Sequence, residues 1–358
     1  MTNKFLTGCV AIETKNARLN GSSKDVEGGS TVQNIAYTKK IRSREGVFPY
    51  GSGVYVKKNI KNFAKLKGHN ISRVRALDTT QAVTEGNPYK NYDEDIMGFM
   101  IAGKLSISEE EFEDLPEEEQ ATFKKVKKGN KVTYEKNITK KRKARLMVSP
   151  LQAISSTRIH QEFNTRQTDA TNIIFSREVY SNIMSMGFNL DINNVGVFRV
   201  SEDESGFRDY SPAEVDLFDL DVDENGVIKL DKEEKNRRIT DTLRAIQYFN
   251  TDIAQANNLE DLNSKFVIMA EYSIGNNIFN NIFRNGLLDI DYLKEAIDEN
   301  EEFRLSNIYI GVRAGFMKVD DKDLRDVLID EFKDYSNVVI GTVKEAFDNY
   351  IKNYIKTL

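Results

Sequence analysis

Charge is sorted into blocks along this chain of 358 residues, and the sorting decides where a core can form. Residues 109–119 hold eight acids and no base, whereas 124–145 hold 11 Lys/Arg and one acid. Residues 201–234 carry 13 acids against 3 bases, and 15–75 carry 14 bases against 3 acids. The formal net charge of −5 conceals these blocks. Large apolar side chains are sparse in 105–142, so this segment cannot build much core and reads as a charged insertion. Residues 201–230 read as a second, acidic one. Basic blocks of this strength are polyanion-binding faces, and acidic ones are solvated faces or partners for another copy's basic patch.

The remaining segments carry the periodicities. Residues 4–14, KFLTGCVAIET, alternate and favour branched side chains, which predicts a first strand. A polar loop rich in Gly, Ser and Asn follows, longer than a simple turn requires. SRVRALDTTQAVTEGNPYKN reads as a strand and loop, and in YDEDIMGFMIAG the core candidates are Ile96, Met97, Phe99 and Met100. ARLMVSPLQAI returns to strand character, interrupted by Ser149-Pro150. TNIIFSREVYSNI predicts a strand and GFNLDINNVGVFRV a hairpin. A helix is predicted over LDKEEKNRRITDTLRAIQYFNTDIAQAN, with Ile239, Leu243, Ile246 and Phe249 on one side. KFVIMAEYSI and NIYIGVRAGFM predict late strands, and charged helices over 321–333 and 342–356 close the chain. Strands early, helices late and no strand–helix–strand repeat predict an α+β fold.

Within the first basic block, residues 37–66 run from a strand bearing Lys39, Lys40, Arg42 and Arg44, through a Gly/Pro loop, into an amphipathic helix. Val56, Ile60 and Phe63 share one helical face, Lys58, Lys61 and Lys65 the other, with Lys57 at the flank. Ser52 stands at the N-cap position. Free N–H groups at a helix start, beside arginines, suit a phosphate. Tyr37, Phe48, Tyr50, Tyr55 and Phe63 are interleaved with the cations, the composition used to hold single-stranded nucleic acid.

Other chemistries find less support. Hydrophobic residues make up 39% and charged ones 30%, and no apolar run approaches the roughly 18–20 residues of a membrane span. The N-terminal stretch lacks the pattern of a signal peptide, so a cytoplasmic protein without membrane contact is expected. One cysteine, Cys9, excludes an internal disulfide and paired-cysteine zinc sites; two histidines, His69 and His160, exclude three-histidine metal sites. No P-loop, G-x-G-x-x-G, H-E-x-x-H or G-x-S-x-G occurs. DVDENGVIKLDK, from Asp221, matches a calcium loop at Asp221, Asp223, Asn225, Gly226 and Ile228 but places Lys232 where a bidentate Glu belongs. A hairpin, LFDLDV and VIKL joined by DENG, is the better reading. Asp25 is a candidate lone catalytic carboxylate and Asp93 with Asp95 a candidate metal pair, yet acids in such settings are more often solvated or structural. His160 suits base stacking or a phosphate contact as well as a partly buried structural role. No catalytic residue, metal or cofactor is assigned.

Several stretches in order carry a resemblance. The Asn-rich loop KNARLNGSSKD after the first strand, FPYGSGVYVKKNI, DEDIMGFM, MVSPLQAI, HQEFNT and RRITDTLRAI…IAQANNLEDLNSKFVI occur as they do in one family. Through them the chain resembles the backbone subunit of type I CRISPR surveillance complexes (Cascade), of the DevR-type, type I-B branch of the RAMP superfamily. LEDLNSK departs from the family in lacking a proline at its late turn.

The resemblance implies a modified ferredoxin-like (RNA-recognition-motif) palm spanning 1–358, with finger-like and thumb-like insertions at 105–142 and 201–230. The thumb hairpin, of the kind that periodically kinks the guide, would be the acidic 201–230 segment or, equally open at this point, the 105–142 insertion. It implies copies stacked into a helical filament on guide RNA (crRNA), held by its backbone while base pairing reads target DNA. Further partners would be the complex's large subunit and the subunit at the crRNA 5′ end. The guide contacts it implies are Asn16, Arg18, Asn20, Arg42, Arg44, Ser52, Lys57, Lys58, Lys61, His160 and Arg166. Lys140, Lys141, Arg142, Lys143 and Arg145 would reach DNA. The rival is the related type III backbone subunit, in which Asp25 would support metal-dependent cleavage of target RNA.

Overall fold

The alternating stretch that opens the chain forms β1 (Phe5–Ala17), and its residues 6–12 are buried without exception. A strand buried on both faces needs a paired neighbour on each edge and a packed layer above and below. The computed structural model supplies them; it describes residues 3–19, 35–76, 82–101, 103–120, 123–128, 131–137, 139–167, 169, 172–201, 208–251 and 259–357. The chain divides into two compact units. Unit 1 comprises 1–68, 146–193 and 236–358, and unit 2 comprises 69–145 and 194–235.

Unit 1 contains, after β1, β2 (Ile35–Ala36), β3 (Lys40–Ser43), β4 (Gly46–Gly51) and α1 (Gly53–Leu66). Then come β5 (Leu146–Val148), β6 (Leu151–Ala153), β7 (His160–Gln167) and β8 (Asn172–Asp191). The rest is α2 (Lys232–Gln247, from residue 236 on), β9 (Phe266–Tyr272), α3 (Ile290–Glu299), β10 (Ile308–Val312), α4 (Leu324–Glu331), β11 (Val338–Gly341) and α5 (Val343–Thr357). The main sheet runs β11-β10-β9-β1-β8-β6-β4-β3, with β2, β5 and β7 also paired to β8. It is mixed: β1 is antiparallel to β8 and β9, whereas β10 and β11 are parallel.

On one face, Cys9, Ala11, Phe266, Ile268 and Ala270 pack with Leu293 and Ile297 of α3 and Leu324 and Leu328 of α4. Ile308, Ile310 and Val312 of β10 join this core, so Tyr309 points to the opposite face. There α5 covers the sheet: the Tyr350 hydroxyl donates to Glu271 (2.9 Å), and the Tyr309 and Tyr350 rings meet edge-on at 6.0 Å. The predicted apolar row of α2, Ile239, Leu243, Ile246 and Phe249, is buried throughout, although the helix ends at Gln247.

The sequence misleads in three places here. GFNLDINNVGVFRV does not form a hairpin. Residues 172–191 are one 20-residue strand, followed by a 3₁₀ turn at Ile192–Asn194. The glycine that looks like a turn signal, Gly187, keeps the strand flat where another chain segment crosses it. A Cβ there would lie 2.3 Å from Asn280 Oδ1 and 2.8 Å from Asn277 Nδ2. Ser149-Pro150, the interruption in MVSPLQAI, lies beside it, between β5 and β6. Gly187 N–H donates to Ser149 Oγ (2.9 Å) and Ser149 N–H to the Gly187 carbonyl (2.9 Å), so the ladder continues across the proline. The supposed Gly/Pro loop before α1 is itself β4, paired with β3 from Lys40↔Pro49 to Ser43↔Gly46.

In unit 2, helix Tyr92–Met97 ends at Gly98 (φ +68), where a Cβ would meet the Arg142 carbonyl at 2.5 Å. Strand Phe99–Ile101 pairs with Lys140–Arg142. Residues 104–107, 131–137 and 124–128 make a three-stranded antiparallel sheet. Phe112 stacks on Tyr134 at 3.6 Å and meets Phe123 edge-on, a small aromatic core consistent with the poor apolar content. Among the described residues of SRVRALD, Arg75–Ala76 is strand, paired with Ala82–Val83. The acidic segment is not a hairpin of LFDLDV with VIKL. Pro212–Phe218 is a helix begun by a Ser211/Glu214 capping box, and Val227–Lys229 pairs with Val197–Arg199 instead. Apolar Phe218 and Leu220 explain this, since both pack onto Phe198, Tyr210 and Ile228.

Candidate nucleic-acid interface

The basic stretch of unit 1 folds as the β3–β4 hairpin and α1. Lys39, Arg42 and Arg44 are exposed on the hairpin. Its inner end is fixed by Lys40, whose ammonium makes a buried ion pair with Glu178 of β8 (2.6 Å), and by Thr38 N–H, which donates to the other Glu178 oxygen (2.8 Å). Its turn is fixed by the segment 155–158: Thr157 N–H donates to the Val47 carbonyl (2.8 Å) and Val47 N–H to Ser156 Oγ (3.2 Å). The cations are therefore carried on a braced element.

Asn182 of β8 joins this hairpin to the end of β1. Its side-chain amide donates to the Ser155 carbonyl (3.1 Å) and to Thr157 Oγ1. Its backbone N–H donates to Thr14 Oγ1 (3.1 Å), and Asn16 N–H donates to Ser181 Oγ (2.9 Å). Asn16 is exposed and left-handed (φ 55), a conformation asparagine tolerates. Arg18 is half-buried; burial and the neighbouring Arg177 charge lower its guanidinium from the ordinary value, and its Nε has no hydrogen-bond partner among the described residues. Asn20 and Asp25 lie outside the described residues.

Ser52 caps α1, its hydroxyl accepting from Tyr55 N–H (3.3 Å). The buried face comprises Tyr55, Val56, Asn59, Ile60 and Ala64, so Phe63 is shifted to a half-buried flank, where Lys67 lies over its ring. Lys58 and Lys65 are exposed; Lys57 and Lys61 are half-buried, and burial lowers the Lys57 ammonium. His160 and Arg166 are exposed on β7, a solvent-facing strand that pairs with the first half of β8, whose residues 176–180 are buried. Across that pair of strands Arg177 bonds Glu162 (2.6 Å) and holds its carboxyl below the ordinary value. Phe163 on β7 is 72% exposed.

The 140–145 tract of unit 2 divides by strand alternation, and this corrects its reading as a continuous DNA-contacting surface. Lys140 and Arg142 point inward. Arg142 is fully buried between Asp95 and Asp209 (2.8 Å), and it donates to the carbonyls of Asp95 (3.3 Å), Val197 (3.1 Å) and Asn194 (3.4 Å). Burial alone would lower its guanidinium, but the two carboxylates outweigh that and raise it. Lys140 bonds Glu214 (2.8 Å) and the Gly86 carbonyl (2.7 Å). Lys143 is exposed, and Lys141 and Arg145 are half-buried. Of the two acids that the sequence offers as a metal pair, Asp95 is thus committed to Arg142, and Asp93 accepts from the Ser72 N–H (2.8 Å) and hydroxyl (2.7 Å). Asp223 of the calcium-like loop accepts from Asn225 and Val227 N–H (both 3.0 Å) and pairs with Lys229.

Two adjoining depressions in unit 1, sharing Ile154 in their linings, are not legible in the sequence because their residues are scattered. One, of about 310 Å³, is lined by 154–158, 181–183 and Gly286. The other, of about 470 Å³, lies among Glu45, Phe48, Gln152, Asn281 and Arg284.

A family model described as "CRISPR-associated negative auto-regulator DevR/Csa2" matches residues 14–272. No curated protein matches. Among solved structures, a chain of a "CRISPR RNA-guided surveillance complex, pre-nicking" aligns with a TM-score of 0.53 at 7% identity, covering 98% of this chain and 99% of that one. A chain of a "CRISPR RNA-guided surveillance complex" aligns at 0.50 and 8% identity with the same coverage. At such identity the likeness is one of fold.

Proposed function

The chain belongs to the CRISPR-associated DevR/Csa2 family, and from that premise we propose that it is the crRNA-binding backbone subunit of a type I-B Cascade complex. In this reading it is a non-enzymatic scaffold, built on a modified ferredoxin-like palm, whose copies follow one another along the guide and present it to target DNA. The observation that carries the reading is the bracing of the β3–β4 hairpin, which bears Arg42 and Arg44, through Val47 and the 155–157 segment to Asn182 of β8, whose neighbour Ser181 holds the Asn16 turn. Cations on a fixed element grip phosphates without reading bases, which suits a subunit that leaves sequence reading to pairing. The exposed strand β7, with His160, Arg166 and Phe163, is better suited to kink the guide than the 210–230 segment, whose Tyr210, Phe218, Leu220 and Ile228 are packed together. Acidic faces of one copy would meet basic faces of the next, together with the large and 5′-end subunits.

The test is purification of the full chain at low salt. With no tryptophan it absorbs weakly at 280 nm, so co-purifying RNA dominates the spectrum, and sequencing identifies it. A protein-only spectrum, with no assembly on adding guide RNA, refutes the proposal. Cleavage of complementary RNA with Mg²⁺, lost in Asp25→Ala, would instead favour the type III-like reading.

A further inference from the structure

Arg284 escapes the basic blocks because the chain beyond it is acidic: residues 285–303 hold seven acids and one base. It sits on a short hairpin of unit 1, in which Phe283–Arg284 pairs with Leu287–Leu288 across an Asn285-Gly286 turn. Both turn residues have positive φ, 52° and 85°, the conformation that an Asn-Gly pair adopts most readily. Strand alternation then sorts the four side chains. Phe283 and Leu288 pack against the core, where Phe283 meets Phe266 edge-on at 5.3 Å, while Arg284 and Leu287 are exposed.

The cation is held in place without being spent. Its guanidinium lies 3.8 Å from the centre of the Tyr292 ring and 4.0 Å from Asp289, and half of the side chain stays exposed. Asp289 is committed to capping α3, where its carboxylate accepts from Tyr292 N–H (3.0 Å). The Arg284 guanidinium donates no hydrogen bond to the described residues. Arg304 and Arg313, further along, differ: the first bonds Glu301 (2.8 Å) and the second Asp261 (2.9 Å). An aromatic stack restrains a guanidinium but leaves its planar fork of N–H donors available.

The turn of this hairpin abuts the segment that braces the basic one. A Cβ on Gly286 would lie 3.3 Å from Ser155 Cβ, and in the same segment Thr157 N–H donates to the Val47 carbonyl of β4 (2.8 Å). The cleft of about 470 Å³ is lined by Arg284 and Asn285 as well as by Glu45 and Phe48 of the β3–β4 hairpin. Arg284 thus shares a cleft with the hairpin that carries Arg42 and Arg44. Phosphate oxygens only accept, and a guanidinium meets two of them with parallel donors. Such a contact is blind to the base, so it extends a grip that ignores sequence.

We infer that Arg284 is a guide-phosphate contact and that Tyr292 is its positioning residue, holding the guanidinium in place by the stack. The inference rests on the RNA-binding reading above and adds to the grip a cation that no basic block announces.

Full-length protein is titrated with two labelled single-stranded RNAs of unrelated sequence over a series of salt concentrations. Arg284→Ala should weaken binding to both about ten-fold and flatten the logarithmic salt dependence by about 0.7, the value of one phosphate contact on a single strand. Tyr292→Leu keeps the charge but frees it, so affinity should fall about three-fold with the salt dependence unchanged. Asp289→Asn keeps a helix-capping side chain and removes the competing carboxylate. Its affinity should rise about two-fold, a gain that damage to the fold would not produce. Circular dichroism verifies that the variants are folded. Wild-type affinity and salt dependence in Arg284→Ala overturn the inference and leave the hairpin grip standing. Weaker binding by Arg284→Ala with an unchanged salt dependence also overturns it, because the residue would then act through the fold alone. Failure of the wild type to bind either RNA overturns the reading beneath it.

Discussion

Replacing Arg142 with alanine is expected to unfold unit 2 rather than to weaken a nucleic-acid contact. The Arg142 and Asp95 side chains are 0% exposed and Asp209 is 7% exposed, so truncation leaves two carboxylates in the interior without their cation. Removing one partner of a buried pair costs about 3–5 kcal/mol, because the remaining charge cannot recover its hydration. Three carbonyls lose their donor at the same time. For a unit of this size 1 kcal/mol corresponds to about 4 °C, so its melting point should fall by roughly 12–20 °C. Hydrogen exchange followed by mass spectrometry reports on the two units separately, and peptides from 92–101 and 194–199 should lose protection while those from β1 do not. Replacing the whole cluster by neutral groups, Arg142→Met with Asp95→Asn and Asp209→Asn, should recover much of the loss. Lys143→Ala, one residue along and exposed, should change stability by no more than about 0.5 kcal/mol. Unchanged exchange in Arg142→Ala, accompanied by loss of DNA affinity, would refute the argument.

Charge removal at Lys58 and Lys61 should weaken binding to every RNA alike and flatten the logarithmic salt dependence by up to about 0.7 for each phosphate left without its cation; an effect confined to one sequence would contradict a backbone grip. Ser149→Ala strips the buried Gly187 N–H of its acceptor and should cost about 1–3 kcal/mol in a thermal melt, whereas Ser149→Thr, which keeps the hydroxyl, should cost less. The bond from Arg177 depresses the Glu162 carboxyl, so its contribution is present above the ordinary carboxylate value and is lost as pH falls through the depressed one. Acid should therefore open the β7–β8 hairpin to pepsin, and Glu162→Gln should remove this dependence on pH between the two values; equal digestion of both proteins throughout would count against the pair.

The sequence predicts best where a residue's periodicity and its burial have one cause. In α2, Ile239, Leu243, Ile246 and Phe249 recur at helical spacing because a single face meets the sheet. Gly187 misleads because glycine marks both turns and close crossings, and only the position of Asn277 and Asn280 tells which. In 140–145 the run of cations masks a strand period of two, and the partners that draw Lys140 and Arg142 inward, Glu214, Asp95 and Asp209, lie far away in the chain. The cleft is beyond reach for a similar reason. Its residues come from positions 45 to 285 and no local pattern connects them.

The central place of β1 also dictates when this protein can fold as it leaves the ribosome. Both strands that flank β1 come much later in the chain, β8 at residues 172–191 and β9 at 266–272. At roughly 5–20 residues per second, about 13–50 s of translation separate the end of β1 from the end of β9. Until β8 is complete Leu6, Val10 and Ile12 belong to a bare apolar ribbon, and one of its hydrogen-bonding edges stays open until β9 follows, the kind of segment that chaperones bind and that aggregates nucleate on. The strand that organises the finished sheet is thus the nascent chain's longest-standing hazard.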